Sequence, residues 1–218
     1  MTSCGERKLY SIPLPTKLVD EIKNGPTKNI LEVGCGYGRA SFFLYENGFN
    51  VLGVDVDRAQ IRLAHEEADV RGVKGKITFL LNDAGKLCFP DSSFDMVTML
   101  GVLTLISKSE RAKVVSQAHR VLKRHGYLLV EEFGRTWENP VYARRYRDDA
   151  KVTGELGTFT VSDETGKILH FSHHFTRKEI LTLLKDFRLV SFEQDRFISY
   201  YHKNWAKGYI ILAQKRTE

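Results

Sequence analysis

The sequence predicts an α/β fold: a mostly parallel sheet with helices on both faces. Three observations lead there. Short apolar runs alternate with amphipathic, helix-like stretches through the first 133 residues. The first apolar run ends in a cluster of glycines, and the chain closes on two strand-like stretches joined by a short polar segment. Strands separated by helices need crossover connections, and these build parallel sheets covered on both sides, with right-handed crossovers.

The elements follow in order. Asn29–Val33 (NILEV) is a short apolar strand. Arg39–Asn47 reads as a helix closed by Gly48, and Asn50–Val54 (NVLGV) as a second strand. Asp57–Val70 is amphipathic through Ile61, Ala64 and Ala68, with Asp57 and Gln60 spaced as a capping pair. Lys76–Leu81 and Phe94–Leu100 are the third and fourth strands. Ser107 and Glu110 cap the next helix, whose apolar residues Val114, Val115, Ala118, Val121 and Leu122 share one face. Gly126–Phe133 (GYLLVEEF) is the fifth strand. Residues 134–175 are polar and aromatic, and no helix or strand is assigned there. A long irregular segment inside a compact domain is often a functional lid. Thr176 and Glu179 cap a helix through Ile180 and Leu184. Phe187–Ile198 and Lys207–Lys215 then pair antiparallel.

The 218 residues suit a single domain, 1–218, able to bury a sizeable core. Its parts are a core over 28–133, an N-terminal cap over 1–27, the variable segment 134–175 and a C-terminal helix with a strand pair over 176–218. With 42% hydrophobic and 28% charged residues, the chain is too apolar for a disordered one. No apolar run approaches the ~18 residues of a spanning helix, and the N-terminus carries no signal-like run. Cys4, Cys35 and Cys88 form neither a disulfide framework nor a zinc set, so a cytoplasmic setting is expected. The net charge is +6, and residues 107–125 hold six Lys/Arg against one Glu. That face reads as a solvated surface or as a phosphate- or partner-facing patch.

The segment Glu32-Val33-Gly34-Cys35-Gly36-Tyr37-Gly38-Arg39 follows a strand and opens a helix. Glycines there let the backbone turn sharply and approach a ligand closely, and the helix N-terminus offers unpaired N–H groups. Asp55 ends the second strand, where a carboxylate can accept from both ribose hydroxyls. Asn82-Asp83-Ala84 ends the third, where an acid can accept from an adenine amino group. A dinucleotide site needs G-x-G-x-x-G, whereas this pattern is G-x-G-x-G with Arg39 in the last place. Glu32 beside a pyrophosphate is unfavourable, while beside an ammonium and a sulfonium it is favourable. Charge chemistry therefore favours S-adenosylmethionine over NAD.

Residues 28–133 resemble the core of class I S-adenosylmethionine-dependent methyltransferases, particularly the branch that includes quinone- and small-metabolite-methylating enzymes. The matching stretches are ILEVGCGYGR, VLGVDVD, LLNDAGKLCFPDSSFDMV, and GYLLVEE after a helix ending VLKRHG. The resemblance implies a Rossmann-like three-layer sandwich around a seven-stranded sheet whose last strand is antiparallel. It implies that Glu32, Gly34, Gly36 and Gly38 surround the methionine part of the cofactor and that Asp55 holds the ribose. Val56 then lies beside the adenine, Asp83 and Ala84 read its edge, and Met99 or Leu100 lies near the methionine moiety. Asn82 departs from the family, which often has Gly there. The expected product is S-adenosylhomocysteine.

Methyl transfer from a sulfonium is an in-line displacement, for which positioning can supply ~7–11 kcal/mol. It needs no covalent nucleophile or metal, so no catalytic residue is assigned from the sequence. The expected acceptor is a small molecule, methylated at oxygen or nitrogen. Met99-Leu100-Gly101-Val102 stands where an Asn-Pro-Pro-Tyr segment would mark exocyclic amine methylation, which is disfavoured. An RNA (tRNA) acceptor is the rival enzyme reading, a non-catalytic cofactor-binding protein the rival outside enzymes, and an NAD-dependent oxidoreductase stands behind both.

Several groups stay open. In His170-Phe171-Ser172-His173-His174, a strand puts His170, Ser172 and His174 on one face and His173 on the other. No carboxylate or cysteine joins them at a ligand spacing, so metal binding ranks last, behind an exposed or substrate-facing strand and a catalytic histidine. Tyr142, Arg144, Arg145, Tyr146 and Arg147 can stack bases, clamp an acidic molecule, or pair with Asp148 and Asp149. Of Glu131 and Glu132 only one can face the site. Segment 1–27, with Tyr10, Pro13, Pro15, Leu18, Val19 and Ile22, is expected to pack or cover the cofactor. Cys35 reads as a spacer.

Overall fold

The computed structural model describes residues 12–14, 16, 19, 22, 25–199 and 204–216. Cys4, Tyr10, Pro15 and Leu18 lie outside the described residues. The elements are β1 (Asn29–Val33), α1 (Arg39–Glu46), β2 (Asn50–Asp55), α2 (Arg58–Val70), β3 (Thr78–Leu81), β4 (Phe94–Leu100), a 3-10 turn (Leu103–Leu105), α3 (Lys108–Val121) and β5 (Leu122–Gly134). Then come α4 (Pro140–Asp148), α5 (Ala150–Thr153), β6 (Thr158–Ser162), β7 (Ile168–His173), α6 (Arg177–Leu183), β8 (Phe187–Ile198) and β9 (Trp205–Lys215).

The main sheet has seven strands in the order β3-β2-β1-β4-β5-β9-β8. The first five are parallel, and β9 runs antiparallel to both β5 and β8. Leu128, Leu129 and Val130 of β5 are fully covered, as a strand with helices on both sides must be. One core joins β5 to Val114, Val115 and Ala118 of α3 and to Ile180 of α6. The other joins Leu129 to Phe42 of α1, to Ile61 and Ala64 of α2, and to Phe79. Each large apolar side chain so buried contributes about 1.5–3 kcal/mol. No helix among the described residues is long and apolar enough to cross a membrane.

Capping follows the sequence with two differences. Thr176 and Glu179 form the full reciprocal box. Asp57 accepts from Ala59 N, whereas Gln60 lines the cavity described below. Ser107 donates to the Glu110 carboxylate at 2.8 Å, and its side chain makes no cap bond to the helix backbone.

Segment 134–175 corrects the expectation of irregular chain. It folds as α4, α5 and the antiparallel β6–β7 hairpin, which packs beside the main sheet as a second, two-stranded sheet. Asn139 caps α4 by accepting from Val141 N, with Pro140 opening the helix. Tyr142, Tyr146 and Phe159 are fully buried beneath it.

Candidate active site

The carboxyl ends of β1, β4 and β5 meet the β6–β7 hairpin around a cavity of about 440 Å³. The bend after β1 is built by backbone bonds. The N–H groups of Gly34 and Cys35 both donate to Val54 O, at 2.8 and 2.9 Å, so β2 fixes the exit of β1. Gly36 N donates to the Asp55 carboxylate at 2.8 Å, and Asp57 N donates to its other oxygen at 2.9 Å. Gly34, Gly36 and Gly38 all have positive φ, at 70°, 53° and 90°. The three are not equivalent. A Cβ on Gly34 would meet Val102 at 2.5 Å, and one on Gly38 would meet Phe79 at 2.7 Å. At Gly36 the nearest atom, Gln60 Oε1, is 3.7 Å away, so the residue faces open space in the cavity wall.

Glu32 is buried and accepts from the Ser41 hydroxyl. Burial pushes its carboxyl up to about 7, against the Ser41 bond and the Arg39 charge. The cavity therefore holds a carboxyl that a cation would ionise. Cys35 is buried and free, and burial with the nearby Glu32 and Asp55 charges raises its thiol well above the usual range. It is a spacer, not a nucleophile.

Of the expected site residues, Glu32, Gly34, Gly36 and Leu100 share the cavity wall. Met99 is fully buried in the core with Val97 and Val130, which leaves Leu100 as the β4 residue at the site. Asp55 is one hydrogen bond from the wall, through Gly36. Gly38 stands behind the wall against Phe42 and Phe79. Val56, 73% exposed, and the exposed Asp83 lie outside it, with the half-buried Ala84 beside Asp83. Asn82 N donates to Asp55 O at 2.9 Å, which brings the ends of β2 and β3 to one edge. Asp83 accepts from Gly85 N at 2.7 Å.

The sequence reasoning passed over Arg39, Gln60, Thr104, Leu105, Phe133, Phe159 and Val161, all in the cavity wall. Arg39 donates to Ile12 O and so ties the N-terminal segment to the bend. The hairpin faces are as alternation requires: His170, Ser172 and His174 line the cavity, and His173 turns away. His173 meets Thr158 at 2.8 Å. His174 stacks on Phe133 with centroids 5.0 Å apart, and its Nδ1 meets the Tyr146 hydroxyl at 2.7 Å. Glu131 and Glu132 point to opposite sides of β5. Glu132 accepts from Leu103 N and Thr104 N at 2.6 and 3.0 Å, fixing the 3-10 turn beside the cavity. Both Glu131 oxygens are buried without a hydrogen-bond partner. Burial pushes each of these carboxyls up to about 8.

Comparison with known proteins agrees with this geometry. Residues 30–126 match the model of a methyltransferase domain family. A solved SAM-dependent methyltransferase of Methanosarcina mazei is 34% identical, superposes with a TM-score of 0.86, and the match covers 92% of this chain and 98% of that one. The 27-O-demethylrifamycin SV methyltransferase of Amycolatopsis mediterranei is 32% identical over 105 residues, 48% of this chain and 38% of that protein. The mitochondrial 2-methoxy-6-polyprenyl-1,4-benzoquinol methylase of Bos taurus is 30% identical over 99 residues, 45% of this chain and 29% of that protein. The chain spans less than half the length of these two curated relatives. The glycine bend with its buried acid, the seven-stranded order with β9 reversed, and a full-length match at 34% identity together make this chain a member of the class I S-adenosylmethionine-dependent methyltransferases.

Proposed function

We propose that this chain transfers a methyl group from S-adenosylmethionine to a small-molecule acceptor held between the glycine bend and the β6–β7 hairpin. The observation that carries the reading is Glu32. A carboxyl buried at the floor of a cavity and held near neutrality by that burial is suited to a ligand that brings positive charge. Gly36 leaves the space in front of the bend open. Glu32, Gly34, Gly36 and Leu100 would hold the methionine part, Asp55 the ribose, and Val56, Asp83 and Ala84 the adenine, with Gly38 shaping the bend. The cofactor supplies a methyl already attached to an excellent leaving group. What remains for the protein is to orient the acceptor and exclude water. Ile12, Leu100, Leu105, Phe133, Phe159 and Val161 give the cavity an apolar lining suited to both.

An RNA acceptor is less favoured by the tyrosines and by part of the basic helix. Tyr142 and Tyr146 are fully buried and cannot stack on bases. Arg145 donates to Thr160 O at 3.2 Å. Within 107–125, Arg111, Arg120 and Lys123 bind Glu155, Asp91 and Asp95.

Calorimetry with S-adenosylhomocysteine tests the cofactor assignment, and release of that product from S-adenosylmethionine with a panel of small acceptors tests the activity. Binding at micromolar concentration is expected, together with turnover of at least one panel member. Absence of binding would overturn the cofactor assignment. Binding without turnover across the panel would favour a cofactor-binding protein that is not an enzyme.

A further inference from the structure

We propose that the groove between α3 and α6 is a second binding site, independent of the methyl-transfer reading, for a small amphipathic anion: an apolar chain ending in an anionic head group. Three cations of the basic stretch 107–125, namely Arg111, Arg120 and Lys123, are paired within the fold. Arg124 is not. It stands exposed at the start of β5, and Lys185 from the turn after α6 and Arg216 from the end of β9 join it around a groove of about 890 Å³. None of these three forms an ion pair or a side-chain hydrogen bond among the described residues. A fourth cation of the lining, Lys215, donates to Leu122 O at 2.7 Å and so already meets the carbonyl end of α3. Asp186 is the one acid among the described residues of this lining.

The groove has an apolar end and a cationic end. Ala112, Val115 and His119 follow one stripe of α3, three and four residues apart. That stripe is about 10 Å long at the helical rise. Val115 packs in one cluster with Leu183 of α6, and Ala112 is exposed beside them in the lining. Where α3 ends, His119 meets Phe187 edge-on with centroids 5.1 Å apart, and Phe187 pairs with Lys215 across β8 and β9. Arg124 and Arg216 lie at this end. A bare inorganic anion would leave the apolar end in water. A neutral apolar ligand would cover cations without pairing them. A ligand with both parts meets both ends, and an oxyanion head matches the two guanidinium forks. The volume lies within the roughly 300–1,000 Å³ of small-molecule sites. The groove shares no residue with the cofactor cavity.

The experiment is calorimetry on the full chain with decanoate, kept below its micelle-forming concentration, while S-adenosylhomocysteine saturates the cofactor cavity. One decanoate per chain is expected. Acetate, which has the head without the tail, and decyltrimethylammonium, which has the tail without the negative head, are both expected to bind at least tenfold more weakly. The triple variant Arg124→Gln, Lys185→Gln, Arg216→Gln should weaken decanoate at least tenfold. Ala112→Phe, which fills the apolar end, should do the same, and Asp186→Asn should tighten binding. All five positions are exposed, so melting temperatures and S-adenosylhomocysteine affinity should remain those of the wild type. Decanoate that binds no better than acetate overturns the proposal, and so does equal binding of the cationic analogue. Decanoate binding that survives in the triple variant or in Ala112→Phe places the ligand elsewhere and also overturns it. A chain that ignores decanoate yet binds a polyglutamate peptide through Arg124 has a protein interface here instead, which overturns it as well.

Discussion

At the scale of single residues, Asp55 joins two tasks that the sequence kept separate. Its position after the second strand suggested a ribose ligand. In the fold the same carboxylate also accepts from Gly36 N and Asp57 N and so holds the bend against α2. Each oxygen retains a further lone pair, so a ribose can still be bound. Asp55→Ala is expected to weaken S-adenosylhomocysteine at least tenfold, about 1.4 kcal/mol. Its circular dichroism should remain that of the wild type, because Asp57 is exposed and Gly36 is only half-buried in the cavity wall. Unchanged affinity in calorimetry would put the ribose elsewhere. Glu131 is the residue least legible in advance. Alternation along β5 said that it and Glu132 would part company, and they do. Nothing in GYLLVEEF says which one will find backbone donors. Glu132 finds them only because the 3-10 turn after β4 presents the N–H groups of Leu103 and Thr104 to it.

At the scale of elements, most local signals held, with Gln60 and Ser107 as the two caps that did not form as expected. NILEV, NVLGV and FDMVTML are strands, and the Thr176–Glu179 pair is a complete capping box, because a short apolar run and cap geometry are properties of a few adjacent residues. The β6–β7 hairpin and α4 escaped notice because what buries Tyr142, Tyr146 and Phe159 comes from distant chain. Tyr146, for example, is held by Thr136 N and His174. Four of the expected site residues share one wall because they sit in or beside a single bend, while the cavity's far wall comes from a segment without a motif. The bend itself makes a test. Gly38→Ala puts a methyl 2.7 Å from Phe79 and 2.9 Å from Phe42 at a φ of 90°, so the site is both overpacked and strained. A stability loss of about 1–3 kcal/mol is expected. Gly36→Ala meets nothing closer than 3.7 Å, so it should cost only the backbone strain of a φ of 53°, about 1–2 kcal/mol, yet its methyl occupies ligand space. Thermal melts and S-adenosylhomocysteine titrations should therefore separate the two: Gly38→Ala loses more stability, Gly36→Ala more affinity. The reverse order would mean that the open side of Gly36 is not where the ligand lies.

At the scale of the whole molecule, one buried network fastens the hairpin to the sheet. Arg111 of α3 grips Glu155 through two bonds of 2.6 and 3.0 Å, both side chains nearly covered. Arg135, after β5, reaches Glu179 of α6 at 3.1 Å. Removing one partner of a buried pair leaves an uncompensated charge, so Arg111→Met is expected to destabilise by about 3–5 kcal/mol, and Arg111→Met with Glu155→Gln by less. Hydrogen exchange should show the loss first in Thr158–His173, and equal losses for the single and double variants would argue against the pairing. Buried titratable groups also fix how stability follows pH. Burial raises Glu32 to about 7 and Glu131 and Glu132 to about 8. From the ordinary carboxylate range up to those values the folded chain holds protons that the unfolded chain has released, so this contribution falls as pH rises and is lost through pH 7–8. His173 acts in the opposite sense: burial lowers its imidazole to about 4, so the unfolded chain binds the extra proton between that value and about 6.5, and stability rises with pH there. The two trends oppose each other on the acid side, and just above pH 6.5 these carboxyls, unlike His173, still act. The melting temperature is therefore expected to fall between pH 6.5 and 8.5, and to fall less steeply in Glu131→Gln, which cannot take up that proton. Melts at half-unit pH steps read both slopes, and a wild-type curve flat or rising across that interval would mean that these carboxyls are solvated in the folded protein.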